Sequence, residues 1–211
     1  RTAYSNVGVG REALNDISSG YRNVAIGMYA GKVLTTGYDN VLLGYEAGLD
    51  LTEGYDNVLI GREVAANLTT GNYNTAVGYK AYMTSAGGNR NTAMGYNALK
   101  TFTQAGDTKN TAIGMYAMNL IETGTSNVAV GYYALGGTGS TTNARNVSIG
   151  THTLYASSGS EDNTAVGYDA GRTMTTGHKN VVVGSYAGDA LTTGHSSVSL
   201  GYDALCAATV G

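Results

Sequence analysis

The chain has 211 residues, a net charge of −3 and only 13% charged residues, with Pro and Trp absent. No basic field is available to hold nucleic acid, no apolar run reaches the roughly eighteen residues a membrane helix needs, and a single cysteine, Cys206, excludes an intrachain disulfide and fits either redox compartment. The length alone would suit one or two globular domains, but repetition overrules it. "YDNVLLGYEAGLDLTEG" (Tyr38 to Gly54) is followed at once by "YDNVLIGREVAANLTTG" (Tyr55 to Gly71).

In chain order, the copies are anchored on Asn6, Asn23, Asn40, Asn57, Asn74, Asn91, Asn110, Asn127, Asn146, Asn163 and Asn180, with Ser197 in the next slot. The step is 17 residues except after Asn91 and Asn127, where it is 19. Four past each anchor stands a glycine: Gly10, Gly27, Gly44, Gly61, Gly78, Gly95, Gly114, Gly131, Gly150, Gly167, Gly184 and Gly201. The pattern predicts a single repeat domain over 1–211. The chain opens on Arg1 and stops at Gly211 inside the pattern, which reads as a fragment of a longer protein.

Each copy opens with Val or Thr one past the anchor, a usually small residue two past, and an aliphatic residue three past, as in Val24-Ala25-Ile26. Alternation in β-branched residues predicts a strand. We expect Val/Thr and the aliphatic residue to fill the interior, and the row Gly8, Ala25, Leu42, Leu59, Ala76, Ala93, Ala112, Ala129, Ser148, Ala165, Val182 and Ser199 to face outward. That row carries no charge, so it predicts a contact with other copies of the chain. Ala seven past the anchor and a bulky residue eleven past, as in Ala47 and Leu51, predict a second short strand, followed by turns such as Thr35-Thr36-Gly37.

A helical-pair repeat needs about 33 residues. A 17-residue period fits one turn of a parallel β-solenoid, about twelve coils in all, each about 4.8 Å above the last. Stacking puts the anchors in one line, where their amides can form a ladder. The extra residues near Lys100–Lys109 and Gly136–Ala144 should bulge out as loops.

Candidate chemistry is sparse. No phosphate loop or calcium-binding repeat occurs, and no catalytic constellation, cofactor site or metal site is expected. Cys206 reads as a small filler rather than a nucleophile. Glu46, Glu63, Lys80, Asp169 and Asp203 share the row six past the anchor, which reads as a solvated face. His178 and His195 lie one repeat apart and could share a metal, but Tyr4, Tyr21, Tyr38 and Tyr55 fill the same slot, so a stacked-ring row is the simpler account. Seventeen tyrosines stand out. Tyr45, Tyr79, Tyr96, Tyr132, Tyr168 and Tyr202 lie five past the anchor, and Tyr29, Tyr116, Tyr133 and Tyr186 six past. These rows fit either coil-edge stiffening or contact with a glycan or protein receptor.

The units "NTAVGY.A", "NVAVGYYAL" and "SVSLGYDAL" resemble the head repeats of trimeric autotransporter adhesins and the repeats of phage tail-fibre proteins. The likeness covers the whole chain and is close at Asn74–Ala81, Asn91–Leu99 and Asn163–Ala170. It implies a left-handed β-roll and a homotrimer packed around an axis through the strand. It also implies a non-enzymatic, extracellular rod, in a virion tail fibre or on a bacterial surface, that attaches to a host or cell-surface receptor. The repeat here is longer than adhesin coils, which leaves room for a monomeric solenoid. An ice-binding solenoid and a polysaccharide-acting β-helix enzyme are the alternatives; the first has Thr-Thr turns that lapse mid-chain, and the second needs an irregular copy with clustered acids.

Overall fold

A computed structural model describes residues 2–137 and 142–206. The chain is an all-β parallel solenoid of about eleven turns, with no helix among the described residues. It divides into two compact units, Arg1–Thr108 and Lys109–Gly211. The first holds β1 (Val7–Val9), β2 (Val24–Ile26), β3 (Val41–Leu43), β4 (Val58–Ile60), β5 (Thr75–Val77), β6 (Gly88–Asn89), β7 (Thr92–Met94) and β8 (Gly106–Asp107). There β1-β2-β3-β4-β5-β7 pair in parallel with each anchor-relative position opposite itself, as Val41 is opposite Val58. The second holds β9 (Thr111–Ile113), β10 (Thr123–Thr125), β11 (Val128–Val130), β12 (Thr142–Ala144), β13 (Val147–Ile149), β14 (Thr164–Val166), β15 (Val181–Val183) and β16 (Val198–Leu200). Its sheet runs β9-β11-β13-β14-β15-β16 in the same register. Short side ladders join β6 to β8 and β10 to β12.

Within the stack, the glycine that ends a strand is required twice over. At Gly78 φ is +131°, and a β-carbon there would sit 2.6 Å from the Gly95 carbonyl oxygen of the next coil. The backbone is both left-handed and too closely approached for any side chain.

The strands form where expected, but their sense is reversed. The middle residue points inward: Ala25, Leu42, Leu59, Ala76, Ala112, Ala129, Ala165 and Val182 are fully buried, as is Ser148, with Ala93 and Ser199 nearly so. Of that row only Gly8, in the first strand, is exposed, so the row lacks charge because it lies inside the coil and it does not form the contact with other copies expected of it. The Val/Thr and aliphatic rows, expected inside, face outward; Ile26, Val58, Met94, Ile113, Ile149 and Val183 are all exposed. Alternation tells which residues share a face and carries no sign for in and out.

The narrow interior decides the sign. The residue two past the anchor packs toward the one eight past, and their sizes trade. Leu42 goes with Gly48, Leu59 with Ala65 and Val182 with Gly188, whereas Ala76 goes with Tyr82, Ala93 with Leu99, Ala112 with Met118 and Ala129 with Leu135. Where both are small, as at Ala25 and Gly31, Leu42 and Leu14 fill the gap from the adjacent coils. The Ala and Leu rows are buried as expected, including Ala47, Ala81, Ala117, Leu34, Leu51, Leu68, Phe102 and Ile121.

The second strand does not form. In its place the chain turns through alternating left-handed residues, such as Gly44 (φ 136°), Glu46 (55°) and Gly48 (59°). Their N–H groups bond to neighbouring coils, Glu46 to Met28 O and Gly48 to Val64 O. A positive φ at every second residue breaks the extended geometry a strand needs.

The first insertion loops out in part, with Thr103, Ala105, Gly106 and Asp107 exposed. Thr108 instead is fully buried, its hydroxyl 2.9 Å from Asn91 Oδ1 and 3.1 Å from the Asn89 carbonyl. Of the second insertion, 138–141 lie outside the described residues; Thr142–Ala144, expected to bulge, instead form β12 on the β10 ladder, with Asn143 and Ala144 buried.

Candidate functional site

Buried polar groups hold the register. Asn40 Nδ2 donates to Asn23 Oδ1 at 2.9 Å and to the Gly54 carbonyl at 2.8 Å, while Asn23 Oδ1 also accepts the Asn40 N–H at 3.1 Å. Asn6 through Asn91 repeat the amide-to-amide bond in the first unit. In the second, Asn110 through Asn180 repeat it, and the Ser197 N–H closes the line on Asn180 Oδ1. The side chain thus uses both donors and both acceptor positions away from water, the condition under which a buried amide is stable. At Asn91 the pattern is patched: the Tyr82 hydroxyl accepts from Nδ2 at 2.8 Å. Burial pushes the Tyr82 phenol well above the usual tyrosine range. A second line of hydroxyls runs along the turn, with Thr35 Oγ1 donating to the Thr52 carbonyl and Thr175 Oγ1 to that of Thr192.

Two positions before the anchor, the rings stack. Tyr4, Tyr21, Tyr38 and Tyr55 lie face to face at 5.1, 4.9 and 4.8 Å between centroids. His178 and His195 stack at 4.8 Å with planes 10° apart. Parallel rings at that spacing do not converge two nitrogens on one ion at about 2.1 Å, and no metal-binding cluster of three His, Cys, Asp or Glu occurs among the described residues. Beside this row run ion pairs, Arg22 with Asp39 and Arg145 with Asp162 and Glu161. The Arg22 guanidinium holds the Asp39 carboxyl below the usual range, and Arg145 does the same for Asp162.

The outward strand face carries no charge. In both units its two rows contain only Val, Thr, Ile, Leu and Met, from Val7 and Val9 to Val198 and Leu200. The side chains five past the anchor extend it. Tyr96, Tyr132, Tyr168 and Tyr202 are exposed, and Tyr45 and Tyr79 half-buried. Tyr79 stacks on Tyr96 at 5.1 Å, and Arg62 sits over both Tyr45 and Tyr79. Comparison with protein-family models, curated proteins and solved structures finds no match.

The row six past the anchor is less uniform than a solvated face. Glu63 pairs with Lys80 at 3.1 Å and Arg62 at 3.0 Å, and Lys80 first holds its carboxyl low. Glu46 is half-buried beside Tyr45, and Asp203 is exposed. Asp169 is buried against His152. Sequence reasoning singled out neither His152 nor its neighbours Tyr155 and Arg172. The available signal was the adjacency of His and Asp in one row, one coil apart.

Proposed function

We propose that this chain is a non-enzymatic structural and adhesive segment of an extracellular fibre, a phage tail fibre or a cell-surface adhesin. Its copies associate as a homotrimer through the outward strand face, and its tyrosine rows meet a host or cell-surface receptor. The observation that carries this reading is the pair of uncharged outward rows. Contiguous exposed apolar surface of this extent marks a contact surface, and a charge there would cost nothing if water were outside. Cyclic symmetry lets each copy present the same rows to its neighbours. Threefold order follows the head-repeat resemblance. The tight interior and the amide ladder suit a segment that must hold its shape without disulfides.

Light scattering on the chain at micromolar concentration tests the assembly. A mass near three times 21.7 kDa supports it. Thr75→Lys with Val77→Lys should give a folded monomer. A parent that is monomeric throughout, or a double variant of unchanged mass, would sink the proposal.

A further inference from the structure

His152 and Asp169 occupy the same left-handed position in successive coils, with φ of 53° and 54°. His152 Nδ1 lies 3.3 Å from Asp169 Oδ1, and Arg172 Nη1 lies 3.6 Å from Oδ2. Asp169 is only 4% exposed. The imidazole contact is close but not aligned as a hydrogen bond, so Oδ1 is left without a bonded partner. Acids at this position in the first unit are better served, Glu12 by Lys32 at 2.8 Å and Glu63 by Lys80 at 3.1 Å. Burying a carboxylate oxygen without a bond is costly, so stability alone gives no reason for this arrangement.

Three phenols surround the imidazole. The ring centroids of Tyr132, Tyr133 and Tyr155 lie 5.4, 5.9 and 5.7 Å from it, tilted by 59°, 37° and 72°. Tyr133 in turn stands edge-on to Tyr132 at 4.6 Å and to Tyr155 at 5.7 Å. The imidazole itself stays 28% exposed. The carboxylate stands on the Nδ1 side of the ring, and Nε2 points away from it.

We propose that His152, walled by Tyr132, Tyr133 and Tyr155 and backed by Asp169, binds one neutral pyranose unit of a glycan. A sugar hydroxyl donates to Nε2, the phenol hydroxyls and Arg172 supply further polar contacts, and the C–H face of the ring lies on a tyrosine. A cationic guest does not fit, because the one carboxylate is buried behind the imidazole and Arg172 stands at the rim. The identification of a glycan as partner rests on the adhesive reading above; the site chemistry does not.

Saturation-transfer NMR with neutral methyl pyranosides of glucose, galactose, mannose and N-acetylglucosamine tests it on the whole chain. For at least one sugar we expect transfer to the pyranose C–H protons, together with a shift of the His152 ring resonances. His152→Asn keeps a residue that accepts the left-handed backbone, and Tyr132→Ser alters only an exposed ring; each should weaken binding about tenfold or more, the loss of roughly one bonded contact. Asp169→Asn, which positions the imidazole without touching the sugar, should weaken binding and change the His152 ring shifts in the free chain. Tyr73→Ser, at an exposed tyrosine of the other unit outside the rows five and six past the anchor, should change nothing. No transfer with any of the four sugars, or transfer unchanged in both His152→Asn and Tyr132→Ser, overturns the site. A chain that assembles but binds no pyranoside loses this site and keeps the fibre reading; a monomer that binds one does the reverse.

Discussion

Leu42 and Gly48 share one volume: a β-carbon on Gly48 would lie 3.2 Å from Leu42 Cδ2 and 3.2 Å from Leu59 Cδ1. Leu42→Ala should therefore cost about 2–5 kcal/mol, the range for emptying a leucine site in a tight core. Gly48→Leu alone should overpack. The two together reproduce the Ala93/Leu99 arrangement of a sister coil, so the double variant should recover much of the loss. A denaturation cycle on the four proteins measures the coupling; simple additivity would mean the two positions do not share space.

Strand sense gives the second prediction. Leu42→Asp places a charge in the closed interior and should lower the β-sheet signal in circular dichroism by unfolding the coils around it. Leu43→Asp, one residue on, points outward and should leave that signal intact while abolishing the concentration dependence of melting. Equal damage from both would contradict the observed facing.

The repeat, its anchors, the terminal glycines and the Ala and Leu rows were legible because stacking forces like over like, and a one-dimensional array writes that constraint into the period. The facing of Leu42 and Leu43 was not, since alternation is symmetric between the two sides. The size exchange between Leu42/Gly48 and Ala76/Tyr82 was the available signal, for only residues sharing an interior need to trade volume. The left-handed turn was hidden because Glu46, Lys80 and Tyr133 are not residues that announce such a backbone. His152 and Asp169 were hidden for the same reason: a row that reads as solvated in sequence folds one acid beneath its neighbour.

The amide ladder should fail locally. Asn57→Ala removes the acceptor of the Asn74 N–H and Nδ2 and the donor to the Gly71 carbonyl. Each buried group left without a partner costs about 1–3 kcal/mol. Because coils couple to neighbours, amide exchange should accelerate most around Asn40 and Asn74 and least near Tyr4. Uniform acceleration across the unit would argue against a nearest-neighbour solid.

Acid should weaken the chain through its paired carboxyls. Arg22 beside Asp39, Lys80 beside Glu63 and Arg145 beside Asp162 hold those groups low in the folded state. Folded protein therefore binds these protons less readily than unfolded chain. The stability they contribute is present above the ordinary carboxylate range, about pH 4, and is lost as pH falls through the folded values. The pairs are exposed, so the effect is modest and screened by salt. Tm should fall between pH 5 and pH 2 on the order of a few degrees, less so in Arg22→Gln. A flat Tm across that range would rule these pairs out as contributors.

Ser126 stands one before its anchor with φ 59°, is exposed, and belongs to a row in which every coil is left-handed, from Ser5 (φ 55°) to Ser196 (φ 54°). A side chain in that region costs roughly 1–2 kcal/mol through the contact of Cβ with the carbonyl. Glycine removes the contact but gives the unfolded chain more freedom, worth roughly 0.5–1 kcal/mol in the opposite sense. Ser126→Gly should therefore stabilise the second unit by about 0.5–1 kcal/mol, whereas Ser126→Ala, which keeps Cβ, should not. Thr176→Gly, at an exposed position with ordinary φ, has no strain to relieve and should destabilise. Urea titrations of the three variants settle the matter: if Ser126→Gly and Thr176→Gly shift the midpoint in the same direction, the left-handed positions carry no strain.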